Sequence, residues 1–274
     1  MAVSIEDIKK LRALTNAGLA DCKKALADAD GDMEKAGELI RERGLAIAAK
    51  RSDREASEGC VLVKVDGNFG AIIALKCETD FVAQNADFVA LTQTILDAAV
   101  ANRCMTLEEV NALTINGEAV PELVTARSGV TGEKMELDGY CVVEGESLSA
   151  YNHQNKNQLC TLVALNKTVA EEYGHNVAMQ VAAMNPVSID KDDVPEAIRE
   201  QEFKIAVEKT REEGKPEKLV EQIAQGRMNK FYAEQCLLRQ AYIMDSSLSV
   251  SKYLQQADKE CTVTAFKRFT LRAE

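Results

Sequence analysis

Apolar residues at helical spacing run through the first 44 residues. Ser4 and Asp7 resemble a helix-capping pair, and the segments "TNAG" and "DADGD" interrupt the apolar pattern twice. The pattern therefore predicts a bundle of three short helices over residues 1–44, the last of them ending at Gly44. A core this small contributes only a few kcal/mol, which is more typical of a binding module than of an enzyme. The three predicted apolar stripes are Ile5, Ile8 and Leu11; Leu19, Cys22, Ala25 and Leu26; and Met33, Ala36, Leu39 and Ile40.

The pattern changes after the bundle. Residues 45–58, "LAIAAKRSDREASE", mix small and charged residues without a sustained stripe, and we interpret them as a partly helical, mobile linker. The β-prone runs "CVLVKV" and "AIIALKC" follow, separated by the turn-forming segment "DGNFG". They predict a β-hairpin. The next segment has Phe88, Leu91, Ile95 and Ala99 on one helical face, so a helix is expected after the hairpin.

The same order of elements recurs later in the chain. The runs "SLSAYNH" and "LCTLVAL" flank the polar turn "QNKNQ", and a helix with Tyr173, Val177, Val181 and Met184 in register follows. Two hairpin-plus-helix units predict an α+β fold, in which two similar subdomains with antiparallel sheets occupy residues 59–138 and 139–274. Residues 114–138, rich in Gly, Pro and polar side chains, are interpreted as the connection between them.

A helical hairpin is predicted within the second subdomain, over residues 195–240. This segment is dense in Glu and Lys, and the residues "GKP" interrupt it where two antiparallel helices would meet. Its apolar residues Ile198, Ile205, Leu219 and Ile223 form only a narrow seam, which favours a projecting hairpin. Two solvated helices lying on the core are the alternative interpretation.

Charge and cysteine usage narrow the function classes. The chain has 44 acidic and 33 basic residues, a net charge of -11, which repels phosphate backbones and disfavours direct nucleic-acid binding. Its eight cysteines are scattered without a Cys-x-x-Cys pair, as expected of reduced and mostly buried thiols in a reducing, cytoplasmic compartment. No signal-peptide pattern and no stretch of about 18 apolar residues is present, so neither export nor membrane insertion is expected.

The sequence contains no recognisable catalytic or metal-binding constellation. A phosphate-binding loop of Walker type is missing, so we expect no nucleotide cofactor. His153 and His175 have no Cys or carboxylate at metal-ligand spacing, and both are interpreted as surface or structural histidines. The many carboxylates are typical of solvated helix faces and indicate no acid–base pair. We therefore expect that the protein is not an enzyme and holds no metal.

The stretch "LKCETDFVAQNADFV" stands apart because an acid and an aromatic ring follow directly on the predicted hairpin. Thr79 is placed to cap a helix, which leaves Asp80 and Phe81 in its first turn. The Phe81 ring could pack into the core or protrude into solvent. Residue physics alone leaves both alternatives open.

Four blocks of the sequence resemble the bacterial elongation factor Ts family, the nucleotide exchange factors of elongation factor Tu. Their order and spacing span almost the whole chain, which makes the resemblance specific. The blocks are "AGLADCKKALADADGD", "CETDFVAQNADF", "AMQVAAMNP" and "GRMNKFYAEQCLL".

The resemblance implies a fold and a set of contacts. It implies a ubiquitin-associated-like N-terminal bundle, a core of two α+β subdomains and an inserted helical hairpin. By analogy Phe81 wedges between helices of the GTPase domain of elongation factor Tu, and Asp80 disturbs the groups that hold magnesium beside GDP. The implied partner-binding residues are Thr79, Asp80, Phe81 and Val82 at the magnesium site, Asn16, Leu19 and Ala20 for docking on the GTPase domain, and His153 in the second subdomain.

The chain departs from the family pattern at three places. The family usually has Gly at Asn16 and methionines at Leu19 and Ala20, so this corner offers a smaller contact surface. It commonly has Pro at Ala241, and some members carry a further C-terminal helix that is not expected here. The alternative function is a non-catalytic adaptor that binds other proteins through the bundle and the helical hairpin. Self-association is left open.

Overall fold

The computed structural model describes residues 3–15, 17–51 and 53–271. The contacts within the chain define two compact units. The first holds the chain up to Leu62 together with Ile73–Tyr140, and the second holds Val63–Ile72 and the chain from Cys141. The domain boundaries predicted from the sequence, at residues 44, 58 and 138, stay a prediction.

Three helices form the N-terminal bundle. The core is built from small and medium-sized side chains, and Leu26 and Cys22 are fully buried in it. Leu19, predicted to share that face, is instead 51% exposed, and Ile5 is 74% exposed. The third helix does not end at Gly44 as predicted but continues through it. The helices are α1 (Ile5–Thr15), α2 (Leu19–Asp28) and α3 (Met33–Lys50).

A hairpin and a set of helices follow the bundle in the chain. The predicted hairpin is confirmed as β1 and β2, which form a three-stranded sheet with β5 in the order β1-β2-β5. The helix expected after the hairpin is confirmed as α5, which buries Phe88, Ile95 and Ala99. The elements are β1 (Glu58–Asp66), β2 (Phe69–Cys77), α4 (Asp80–Ala83), α5 (Ala86–Ala101), α6 (Leu107–Asn111), β3 (Thr114–Ile115), β4 (Glu118–Ala119), α7 (Val120–Thr131) and β5 (Met135–Glu144).

Residues 114–138, predicted to connect the two subdomains, contain the 12-residue helix α7 and the start of β5, which were not predicted from the sequence. Pro121 lies in the first turn of α7, where its missing N–H costs nothing. Gly132 ends the helix at a φ of 74°, which a residue with a Cβ adopts only at a cost. Helix α7 has its own packing role in the first unit.

Helix α7 packs closely along α3. A Cβ added at Gly129 of α7 would lie 2.2 Å from the Cα of Gly44, so the two backbones are in direct contact at this point. Arg41 and Glu122 form an ion pair between the same two helices, with a 2.7 Å N–O distance. This close approach explains why Gly44 lies inside α3, since the residue serves packing and does not terminate the helix.

The second unit repeats the hairpin-plus-helix order. Strands pair antiparallel in the order β10-β7-β6, and β7 is buried along its whole length. Helix α8 covers this sheet with Val177, Ala178 and Val181. The α+β fold with antiparallel sheets is therefore confirmed. The elements are β6 (Ser147–Asn152), β7 (Leu159–Leu165), α8 (Glu171–Met184), α9 (Glu196–Glu212), α10 (Glu217–Gln235), β8 (Ala241–Tyr242), β9 (Asp245–Ser249), α11 (Val250–Leu254) and β10 (Val263–Thr270).

The predicted helical hairpin is formed by α9 and α10. The predicted seam is wrong at Ile205 and Leu219, which are 37% and 39% exposed. The buried residues of the pair are instead Ala206 and Thr210 of α9 and Val220, Ala224 and Met228 of α10. Arg211 and Arg227 form ion pairs with Glu217 and Glu213 near the turn, at 2.7 and 2.6 Å. The two helices therefore stabilise each other.

The thiols are reduced, as predicted. All eight cysteines are free; seven are buried and Cys141 is half-buried. Across residues 3–15, 17–51 and 53–271, every helix is too short or too polar to traverse a lipid bilayer.

Candidate functional site

Phe81 lies on the surface of the first unit. It belongs to the four-residue helix α4, in which Ala83 is buried and Val82 is half-buried. Phe81 is 85% exposed, whereas Phe88, a second phenylalanine in the next helix, is fully buried. The alternative in which Phe81 packs into the core is therefore excluded. Asp80 is exposed beside it, in the first turn of the helix.

Thr79 fixes the start of this turn. Its backbone is extended, and its hydroxyl accepts a hydrogen bond from the Val82 N–H at 3.4 Å, as a helix N-cap does. The same hydroxyl donates to the carboxylate of Glu133 at 2.6 Å. Because both bonds use one oxygen atom, Thr79 joins the Phe81 turn to the segment that follows α7.

Glu133 receives two further hydrogen bonds from the same stretch of backbone. The N–H groups of Thr79 and Glu78 donate to its other carboxylate oxygen at 3.1 and 3.2 Å. The left-handed backbone of Gly132 ends α7 directly before Glu133. One carboxylate therefore satisfies three donors at the base of the Phe81 turn, and hydrogen bonds to an ionised acceptor are stronger than those between neutral groups.

The Glu78 side chain accepts hydrogen bonds from the segment that contains Glu133 and from Arg51. Its carboxylate accepts from the Lys134 N–H at 2.7 Å and from Nη1 of Arg51, just after α3, at 2.9 and 3.1 Å. The backbone hydrogen bond from Lys134 lowers the pKa of Glu78; burial opposes this shift, and the positive charges of Arg51 and Arg54 reinforce it. Glu78 is thus held ionised at neutral pH between two segments of the first unit.

Cys77, at the end of β2, forms a hydrogen bond with the residue that caps α4. Its thiol donates to the Thr79 carbonyl at 3.2 Å. Burial, and next the negative charge of Glu133, raise the pKa of Cys77 to about 12. The group therefore stays a protonated thiol at neutral pH, which makes it a hydrogen-bond donor and a poor nucleophile.

Two of the three predicted docking residues, Leu19 and Ala20, lie at the corner between α1 and α2. Leu19 opens α2 and is 51% exposed, and Ala20 beside it is exposed. Leu14, near the end of α1, is 75% exposed and was not singled out from the sequence. Its spacing of three from Leu11 continues the predicted stripe, so spacing does not mark Leu14 as exposed. Asn16 falls outside the described residues.

His153 lies in the second unit, in a short 3-10 helix after β6. It is half-buried, and its Nδ1 is 3.1 Å from the Tyr151 hydroxyl. The Tyr151 ring meets both His153 and His175 edge-on, at centroid distances of 5.8 and 5.5 Å. These aromatic contacts orient the His153 ring.

Sequence reasoning missed Glu133, Glu78 and Arg51. A signal for Glu133 was present, since a helix beginning near Pro121 and ending at Gly132 would have placed this acid at a helix C-terminus. Its pairing with Thr79 could not be read from the sequence, because the two residues are 54 positions apart. The candidate site is therefore a presented aromatic ring whose supports come from distant segments.

Comparison with known proteins places the chain in a family. The family model described as "Elongation factor TS" matches residues 78–273. A protein of Bacteroides fragilis named Elongation factor Ts is 52% identical over 330 aligned positions, and one of Parabacteroides distasonis is 51% identical over 330. A third, from Porphyromonas gingivalis, is 49% identical over 275 positions. Each alignment covers 100% of this chain and 100% of the relative. The chain belongs to the elongation factor Ts family of translation elongation factors.

Proposed function

We propose that the protein is a guanine nucleotide exchange factor that binds the GDP form of elongation factor Tu and accelerates GDP release. It does so by disturbing the partner's magnesium site with residues 79–82. Family membership supports the partner and the general role. The mechanism is supported by the geometry around Phe81.

The observation that carries the proposal is the exposure of Phe81. Leaving an aromatic ring 85% exposed forgoes the free energy of its burial, about 1.5–3 kcal/mol. A ring that lies on a turn held by Glu133 and Glu78 is presented in a defined direction, which suits insertion between apolar side chains of a partner. Aromatic anchors of this kind commonly dominate interface energies.

Asp80 is proposed to supply the electrostatic contribution to disturbing the partner's magnesium site. It is exposed next to Phe81 and carries its charge into whatever site the ring enters. A carboxylate brought near a bound magnesium ion would repel its acidic ligands and accept hydrogen bonds from hydroxyl or water ligands, and this would loosen the metal and with it GDP. Thr79 and Val82 contribute by shaping the turn that presents these two residues.

Exchange follows from reciprocal coupling. The factor and Mg-GDP favour different arrangements of the GTPase, so each weakens the binding of the other by the same factor. A ten-thousandfold faster release corresponds to about 5.5 kcal/mol of lowered barrier. One inserted ring, one displaced metal network and the remaining interface together supply energies of this order.

Docking is assigned to other surfaces of the chain. Leu19 and Ala20 are exposed on the bundle and are proposed to contact the GTPase domain together with Asn16. His153, oriented by Tyr151, is proposed to contact the third domain of the partner. These contacts hold the factor in place while residues 79–82 act.

The test is release of fluorescent GDP from the host's elongation factor Tu in the presence of this protein at substoichiometric concentration. An exchange factor turns over and releases GDP from all of the partner, with a rate proportional to factor concentration. An adaptor that binds through the bundle and the helical hairpin leaves the lifetime of GDP unchanged. The second result would refute the proposed function.

A further inference from the structure

The Phe81 turn is the short helix α4, and Glu78 and Thr79 directly before it form its base. These two residues both donate hydrogen bonds to residues 133–134 and accept one from them. The backbone N–H groups of Glu78 and Thr79 donate to the Glu133 carboxylate, and the Lys134 N–H donates to the Glu78 carboxylate. The Thr79 hydroxyl adds a fourth bond, at 2.6 Å. We call these four residues, Glu78, Thr79, Glu133 and Lys134, the clamp.

The clamp supplies order that α4 cannot supply itself. A helix of four residues has the cost of nucleation and almost none of the gain of propagation, so it is unstable in isolation. Most of the Phe81 ring is in solvent, so packing of the ring does little to hold the turn. The bonds to Glu133 and the contact of buried Ala83 are therefore what keep the turn helical.

Arg51 connects the clamp to the N-terminal bundle. It directly follows α3, and its Nη1 contacts both oxygens of the Glu78 carboxylate. Helix α3 is also packed along α7 at Gly44 and Gly129, and the clamp residue Glu133 follows the end of α7. The residues that follow the C-terminal ends of α3 and α7, Arg51 and Glu133, therefore both contact the base of the Phe81 turn.

We propose that Glu133 is a positioning residue for nucleotide exchange. Its carboxylate holds Thr79 so that the next turn presents Phe81 in one orientation, and the Arg51–Glu78 pair ties that orientation to α3 of the docking bundle. Without the clamp the ring has to be ordered during binding, and this ordering cost lowers the rate. The inference rests on the proposed function, because orientation of Phe81 matters only if the ring acts on the partner.

The first test uses the free protein. Hydrogen–deuterium exchange is measured by mass spectrometry for peptides that cover residues 78–84 in the unaltered chain, Glu133→Ala and Glu133→Gln. We expect at least tenfold faster exchange in Glu133→Ala, and a smaller change in Glu133→Gln because its amide oxygen still accepts hydrogen bonds. Glu108→Ala is the matched control, since Glu108 is also an exposed glutamate of the first unit and lies in α6, outside the clamp. Unchanged exchange in Glu133→Ala would overturn the proposal.

The second test asks whether Glu133 acts through Phe81. GDP release from elongation factor Tu is measured with Glu133→Ala, Phe81→Ala and the double variant, at saturating factor concentration. We expect Glu133→Ala to slow release about ten- to a hundredfold alone, the range that one or two lost charge-assisted bonds allow, and less than about twofold when Phe81 is already Ala. An equal loss in both backgrounds would mean that Glu133 is merely structural.

The outcomes separate the two claims. If the unaltered protein does not accelerate release, the proposed function fails and the inference fails with it. If the unaltered protein is active but the Glu133→Ala and Phe81→Ala effects are additive, only the inference fails. Should Glu133→Ala not fold, Glu133→Gln replaces it, since the amide nitrogen cannot accept the hydrogen bonds that one carboxylate oxygen receives, whereas the Thr79 cap of α4 stays intact.

Discussion

The Thr79 hydroxyl donates to the Glu133 carboxylate at 2.6 Å and accepts from the Val82 N–H at 3.4 Å. One oxygen atom thus caps α4 and anchors it to the segment after α7. The ring of Phe81 lies two residues beyond this atom and is 85% exposed. Thr79 and Glu133 therefore hold the backbone of α4 in place, whereas the Phe81 ring is exposed and can contact a partner.

Exposure predicts that Phe81 contributes little to folding. Phe81→Ala is expected to change the free energy of unfolding by less than about 0.5 kcal/mol, as do most surface substitutions. Phe88→Ala is the matched control in the same unit; its ring is fully buried, and its loss is expected to cost about 3–5 kcal/mol. Urea unfolding followed by circular dichroism measures both. Equal losses for the two variants would mean that Phe81 is packed in solution.

Close packing of α3 on α7 predicts a strong effect at Gly129. A Cβ there would lie 2.2 Å from the Gly44 Cα, so Gly129→Ala forces the helices apart and is expected to cost about 1–3 kcal/mol of stability. A Cβ added by Gly37→Ala, within α3, meets nothing within 4 Å, and this change is expected to stabilise by about 0.5–1 kcal/mol. Thermal melting of the two variants should therefore shift in opposite directions. Two shifts of the same sign would contradict the described contact.

The lowered pKa of Glu78 predicts a pH dependence of the clamp. The Lys134 N–H, Arg51 and Arg54 favour the ionised carboxylate, and Glu133 binds the Glu78 backbone N–H. A depressed folded-state pKa contributes stability above the unfolded-state value of about 4.3, and this contribution is lost as pH falls through the lower folded-state pKa. The stability difference between the unaltered chain and Glu78→Gln should be constant from about pH 7 to 5 and then shrink toward about pH 3.

Denaturant unfolding at each pH measures this difference. Arg51→Ala, which removes one of the groups that hold the Glu78 charge, is expected to weaken the dependence without abolishing it, because the Lys134 N–H remains. A difference that grows as pH falls would show that Glu78 is not stabilised in its ionised form.

Leu19 is predicted to set affinity and to leave the maximal rate unaltered. Its side chain is 51% exposed on the bundle, so Leu19→Ala is expected to raise the factor concentration needed for half-maximal exchange by about tenfold while protein stability stays nearly unchanged. Leu45→Ala is the control, since Leu45 is also 51% exposed but lies on α3, where it lines a cavity with Pro121 and Thr125 of α7. Titration of exchange rate against factor concentration distinguishes the two parameters. A lower maximal rate with unchanged half-saturation would contradict docking by Leu19.

Apolar periodicity predicted the elements that are long enough to have a period. The three helices of the bundle, the two hairpins and the pair α9–α10 follow from it, whereas helix α7 was missed because small and polar residues blur its stripe. A four-residue helix such as α4 has no period, so the direction of Phe81 could not be decided from spacing. The prediction that α3 ends at Gly44 was wrong for a related reason. Glycine occurs both at helix ends and at close backbone contacts, and Gly44 lies in α3 because it packs against Gly129.

The site was predicted in part. The resemblance located residues 79–82, and the capping role of Thr79 follows from its residue type and position. The clamp could not be predicted, since Glu133 and Lys134 are joined to Glu78 and Thr79 across more than 50 positions of sequence. Hydrogen bonds of this kind depend on the tertiary arrangement of α7 and β2 and leave no local pattern.

The central claim is that exposed Phe81 drives GDP release from elongation factor Tu, and one comparison tests it most directly. Fluorescent GDP release is followed with catalytic amounts of the unaltered protein and of Phe81→Ala, at equal concentrations of folded molecules. We expect rapid release with the unaltered protein and a loss of about a hundredfold or more with Phe81→Ala, consistent with removal of a central aromatic anchor worth at least about 2.7 kcal/mol. Equal rates from the two proteins would contradict the account.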